Sequence, residues 1–258
     1  MKKVFAAILC LFVLCGCESR EAELKQRIYD ELDSLSTKLE SPGSNRMKGY
    51  YSYYLPQGIK QRDANSLSEV FVKDGYRLIM NFDPSAVVIK NYYTKSEENE
   101  EDAKTAASMN QEQVAELTKV QMQEQENKTL YTSNYMNADR ELFPYTLQLI
   151  KSEGAYLVYL DGSLVKLYTY LPAAAVPSTL RSMYLLMTSI SYDKDKVLND
   201  FSLKSLTAAK KQNLDYLQSH LPSSGSLEEL LNPKSEEGNG DVIKEEQSDK
   251  KNKQEEEK

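Results

Sequence analysis

The side chains that could do chemistry are few and poorly spaced for it. Ser163-Leu164-Val165-Lys166 matches S-x-x-K, in which a lysine one helical turn along takes the proton of a nucleophilic serine. The surrounding residues alternate like a strand, which sends positions i and i+3 to opposite faces, and no K-T-G follows. Ser248 to Lys251 repeats the match within a charged tail, and both matches read as coincidence. Asp193, Asp195 and Asp200 in YDKDKVLND hint at calcium. An EF-hand loop would need glycine at its sixth position and glutamate at its twelfth, where this chain has Leu198 and Lys204, so a surface turn is the simpler reading. His220 is the single histidine, so any imidazole base or ligand must be that residue. It precedes Leu221-Pro222 at a helix end, where a partial positive charge suits the last carbonyls. The sequence therefore predicts no catalytic residue, no metal ligand set and no cofactor.

Tyrosine is the exception. The chain has 18 Tyr and no Trp. Tyr50, Tyr51, Tyr53 and Tyr54 surround Ser52, and Tyr159, Lys166, Tyr168 and Tyr170 fall on one side of an alternating segment. Tyrosine buries a large ring while its hydroxyl stays wet, which suits interfaces and polar clefts. Tyr159, Lys166, Tyr168 and Tyr170 form the candidate binding face. The competing expectation is that helices cover it and the rings are ordinary core edge.

Cys10, Cys15 and Cys17 are the only cysteines, all within the first 17 residues, so the rest of the chain has no disulfide, thiolate metal site or cysteine nucleophile. The net charge of −7 is unevenly placed. Residues 97–128 carry −6 and residues 233–258 carry −3, while Lys2 and Lys3 add +2, leaving the body close to neutral. It has no clustered lysine and arginine of the kind that neutralises phosphates, which argues against a nucleic-acid partner.

The elements that must hold the tyrosines follow from periodicity. Leu24, Ile28, Leu32, Leu35 and Leu39 predict a helix over Glu21–Leu39, ended by Ser41-Pro42-Gly43. Leu67–Lys73, Asp74-Gly75 and Tyr76–Phe82 predict a hairpin with a type I′ turn, pairing Phe71 with Leu78, Val70 with Ile79 and Val72 with Arg77. Ala86–Tyr93 is read as a further strand. The acidic, Gln-rich stretch 96–128 is read as an insertion, with weak helical spacing at Val114, Leu117 and Val120. Thr129–Met136 and Leu142–Lys151 predict strands. A second hairpin, with a two-residue turn at Asp161-Gly162, pairs Val158 with Val165 and Tyr156 with Leu167 on its apolar face. Leu157, Tyr159, Leu164, Lys166, Tyr168 and Tyr170 lie on the other. Helices are expected over Pro177–Ile190 and Leu203–Leu221, and Pro233–Lys258 is too polar to fold.

The first residues, MKKVFAAILCLFVLCGC, join a charged start to an apolar run too short to span a bilayer. Leu14-Cys15-Gly16-Cys17 resembles the lipobox of bacterial lipoproteins. The resemblance implies cleavage after Gly16, a diacylglyceryl group on the Cys17 thiol, and anchorage at the outer face of the cell membrane. An ordinary secretory signal ending in cysteine is the alternative. The element order from Tyr50 to Leu206 is faintly similar to the PsbP-like α/β/α sandwich family, whose members act mostly as binding and assembly scaffolds; that resemblance transfers no site residues. The expected organisation is a signal peptide (1–16), a lipid-anchored helix and linker (17–45), an α+β domain with an antiparallel sheet packed against helices (46–221), and a disordered tail (222–258). The function expected is that of a non-enzymatic accessory subunit with a protein partner at the membrane. Ligand capture for a transporter is the alternative, and a wall hydrolase ranks third because no base is paired with a nucleophile.

Overall fold

The computed structural model describes residues 20–36, 41–96, 109–125, 128–152 and 154–219. The leader with Cys17, Leu39, residues 97–108, His220, Leu221 and the tail 222–258 lie outside the described residues. The chain is α+β, with antiparallel sheets packed against helices.

Strands β1 (Arg46–Met47), β2 (Tyr51–Tyr53), β3 (Ile59–Ala64), β4 (Ser68–Lys73) and β5 (Tyr76–Phe82) come first. They are followed by β6 (Gln121–Gln125), β7 (Lys128–Met136), β8 (Leu142–Ser152), β9 (Ala155–Asp161), β10 (Val165–Pro172) and β11 (Ser191–Tyr192). The main sheet has eight strands in the order β3-β4-β5-β10-β9-β8-β7-β6, and β1, β2 and β11 form a small second sheet. The helices are α1 (20–36), α2 (Pro84–Ser96), α3 (Gln111–Leu117), α4 (Val176–Thr188), α5 (Lys194–Asp200) and α6 (Leu206–Ser219).

One face of the main sheet is the core face. Strand alternation sends Phe71, Leu78, Met80, Phe82, Leu147, Leu149, Val158, Leu160, Val165 and Leu167 into a single cluster, each at most 2% exposed. The α1 stripe of Leu24, Ile28, Leu32 and Leu35 joins it, so that helix packs on its own body. Each such side chain contributes about 1.5–3 kcal/mol relative to exposure. Leu180, Met183, Tyr184 and Met187 of α4 cover the same face, as does the small sheet, where Tyr51 stacks on Phe82 with ring centroids 4.7 Å apart.

The first hairpin has the expected register, with Phe71 opposite Leu78, Val70 opposite Ile79 and Val72 opposite Arg77. Asp74 (φ 51°) and Gly75 (φ 84°) both take the left-handed conformation that a type I′ turn demands. The second hairpin departs from its predicted register. Lys166 pairs with Asp161 and Leu171 with Tyr156, so Val158 faces Thr169 rather than Val165. Residues 162–164 form a wider turn, closed by Gly162 N–H donating to Val165 O and Leu164 N–H to Gly162 O, and Ser163 rather than the glycine is left-handed (φ 63°). The slip is an even number of residues, so the faces are kept. Leu164 is the exception: it turns inward and is fully buried.

Three further expectations are corrected. Ala86–Tyr93 is helical within α2, because Asp83 Oδ1 accepts the Ser85 N–H at 2.9 Å and Pro84 occupies the first turn. The stretch 96–128, read as an insertion with helical spacing, holds that helix as α3, opened by a capping box between Asn110 and Gln113, but also the unforeseen edge strand β6. Asp193 caps α5 through the Lys196 N–H, making YDKDKVLND a short capped helix rather than a turn.

Candidate functional site

The tyrosines of the two predicted clusters have different surroundings. Tyr51 and Tyr53 belong to the core: their hydroxyls donate to the two carboxylate oxygens of Glu69 at 3.1 and 2.8 Å. Glu69 projects from β4 onto the core face and is fully buried, with Lys48 Nζ 3.9 Å away. Burial pushes the Glu69 carboxyl above the usual glutamate value, although both hydroxyls and Lys48 favour its charged form. This cluster clasps the small sheet to the large one. Tyr50 is also structural, donating to Asp200 at 3.0 Å and packing edge-on against Phe201.

Tyr159, Lys166, Tyr168 and Tyr170 all stand on the second face of the main sheet, opposite the core. Pairing arranges that face in cross-strand rungs. Lys128, Ile150, Leu157 and Tyr170 form the first. The second is Leu130, Gln148, Tyr159, Tyr168, Ile79 and Val70. The third is Thr132, Thr146, Asp161, Lys166, Asn81 and Ser68.

Helix α6 covers one side of this surface. Ser68 Oγ donates to Asn213 Oδ1 at 2.9 Å, the Asn213 amide donates to Phe82 O at 3.0 Å, and Tyr216 donates to Asp63 at 3.2 Å. On β4 and β5, accordingly, Ser68, Val70, Ile79 and Asn81 are buried. On β7 to β10 the same rungs are half-buried or exposed: Leu130, Gln148, Ile150, Leu157, Tyr159, Lys166, Tyr168 and Tyr170 all keep part of their surface in solvent. Helix α6 thus covers the β4–β5 side of this face.

Within the open part, Tyr159 and Tyr168 are a direct cross-strand pair. Their rings stack with centroids 4.7 Å apart and planes 12° apart, so they stand up from the sheet and present their edges. The Tyr159 hydroxyl donates to Asp161 Oδ2 at 2.7 Å. Lys166 Nζ lies 3.2 Å from Asp83 and 3.6 Å from Asp161. Desolvation alone would lower the lysine, but the two carboxylates outweigh it and its ammonium is held above the usual value. Burial raises the hydroxyls of Tyr159, Tyr168 and Tyr170, and Asp161 raises Tyr159 further. A lysine held protonated is no nucleophile, and phenols pushed upward are no bases near neutral pH. What this surface offers is apolar ring and aliphatic area edged by hydrogen-bonding groups, the composition of a contact surface.

The other sequence candidates are scattered. Ser163 Oγ donates to Pro144 O while Lys166 is engaged by Asp83 and Asp161, so the S-x-x-K residues do not meet. Cys17 and His220 lie outside the described residues. Among the described residues no group of three or more His, Cys, Asp or Glu could hold a metal ion, and no helix is long and apolar enough to cross a membrane. The reading from sequence missed Leu130, Gln148 and Ile150 as neighbours of the tyrosines. Their alternation in β7 and β8 was visible, but which strands flank β9 was not. Comparison with protein-family models, curated proteins and solved structures gives no match for this chain.

Proposed function

We propose that this chain is an extracytoplasmic lipoprotein, anchored through a diacylglyceryl group on Cys17, that acts without catalysis as a binding or assembly subunit at the cell membrane. Its contact surface is the open part of the second sheet face, centred on Tyr159, Tyr168 and Tyr170. The observation that carries the proposal is the half-buried, stacked Tyr159–Tyr168 pair among Leu130, Ile150 and Leu157, all of which keep part of their surface in solvent. Stable proteins seldom leave such a contiguous apolar surface wet without a use for it. The described body also has one main sheet and a small second one around one main core rather than two hinged lobes, which favours an assembly subunit over a closing solute receptor.

The test is crosslinking of the native lipoprotein in membranes, comparing the parent with Tyr168→Ala/Tyr170→Ala. The partner adduct should be lost in the double variant. The fold should lose well under the ~3–5 kcal/mol that truncating each fully buried aromatic costs. An undiminished adduct, or a variant that no longer folds, would remove this face as the binding surface.

A further inference from the structure

We infer that the body rests on the lipid surface by one fixed end, the end carrying the β4–β5, β6–β7 and β8–β9 turns, with its strands directed away from the membrane. This orientation depends on lipid attachment at Cys17, proposed above, and adds to it how the body is held.

The tether is short. Arg20 is already helical and stands three residues after Cys17, so the lipidated residue lies within about 11 Å of the helix start however that segment runs. Helix α1 is not a loose leash either. Ile28 and Leu32 are fully buried in the core, and polar partners clamp the helix along its length. Glu21 pairs with Lys151, and Lys25 with Glu124 at 2.9 Å, while Lys25 O accepts the Tyr131 hydroxyl at 3.1 Å. Glu31 takes a two-pronged bond from Arg181 at 2.6 and 3.0 Å, and Ser36 O accepts from Thr118 at 3.3 Å.

The order of these partners sets a direction. Lys151 is at the last turn of β8 toward β9, whereas Thr118 caps α3, whose Leu117 carbonyl is bonded by Asn134 toward the far end of β7. Helix α1 therefore runs along the strands with its N-terminus at the β8–β9 turn. Antiparallel pairing places the Gln125–Lys128 and Asp74-Gly75 turns at that same end, since Phe82 pairs with Val165 at the opposite one. Strand β8 has 11 residues and spans about 37 Å, several times the reach of the tether. The near end is thereby kept at the headgroups while the far end can stand off by the length of the strands, which leaves the Tyr159–Tyr168 surface open to the side. Three cations of this end are paired with acids, Lys151 with Glu21, Lys25 with Glu124 and Lys73 with Asp74, so the short tether rather than those charges holds the end in place.

The test uses the lipidated full-length mature chain, which has no cysteine besides Cys17, so that Ser152→Cys or Ala138→Cys supplies one free thiol for a fluorophore. Ser152 lies at the near end and Ala138 in the β7–β8 turn at the far end. In phosphatidylcholine–phosphatidylglycerol vesicles carrying a headgroup nitroxide, quenching should be several-fold stronger at position 152 than at 138, and raised salt should not change the ratio. A Gly-Ser linker of about 20 residues between Ser19 and Arg20, with a root-mean-square reach of about 25 Å, should abolish the difference. Equal quenching at the two positions without the linker, or a difference that survives it, overturns the orientation. Mass spectrometry of Cys17 separates the two levels: a lipid-free cysteine overturns anchorage and orientation together, while a lipidated one confines any failure to the orientation.

Discussion

Glu69 is a buried carboxyl that two tyrosine hydroxyls and a lysine address without cancelling its desolvation. Its proton is bound more tightly in the folded state than in the unfolded one, so its contribution to stability is present at low pH and is lost as pH rises through the raised folded value. The parent should therefore melt at a progressively lower temperature as pH climbs from the ordinary glutamate value of 4.5 through that window, relative to Glu69→Gln, which cannot titrate there. Thermal melts of both proteins across that range check the sign, and parallel curves would refute it. Gly162 makes a different point at the same scale. A Cβ there would meet Met187 Sδ at 2.5 Å and Cγ at 2.7 Å, and its carbonyl accepts the buried Tyr135 hydroxyl at 2.5 Å. Gly162→Ala should cost about 1–3 kcal/mol in a denaturant melt, as overpacking does, although its backbone is not left-handed.

Among the elements, α2 shows how a local signal decides between helix and strand. Ala86 to Ile89 contains a β-branched run that suits a strand, but Asp83 caps the backbone ahead of it and Pro84 presets the first turn. Asp83 also holds Lys166 at 3.2 Å, tying the helix start to the candidate face. Asp83→Ala should lose the cap, worth about 0.5–2 kcal/mol, and leave Lys166 with Asp161. A denaturant melt reads the first effect. Among the strands, β6 was hidden because its residues, QMQEQ, are all exposed and carry no alternation; only pairing to β7 makes them a strand. The capping box of α3, Asn110 with Gln113, was by contrast present in the sequence as a usable start signal.

For the molecule as a whole, the proposed anchor governs where everything else acts. Two acyl chains hold a protein stably at a membrane where one does so only marginally. Cys17→Ala should abolish lipid labelling and leave unprocessed precursor in the membrane fraction, as metabolic labelling and gel mobility would show. Persistent labelling would refute the assignment. With α1 packed into the core, moreover, the proposed anchor is separated from the folded body only by Glu18 and Ser19.

Some of this was determined by sequence alone. The first hairpin was legible to the residue because Asp74-Gly75 specifies its turn and the alternation on either side admits one register. The α1 stripe and the separation of Tyr159, Tyr168 and Tyr170 from Val158, Val165 and Leu167 were legible for the same reason: a period of 3.6 or 2 assigns faces without knowledge of what covers them. Tertiary structure decided the rest. The width of the second turn depends on Leu164 reaching the core, with α4's Met187 close over Gly162. Which part of the tyrosine face is covered depends on α6, whose described side chains bond to Asp63, Ser68 and Phe82 on β3 to β5. Burial depends on contacts between residues far apart in the chain, and a periodic pattern names the face but not its neighbour.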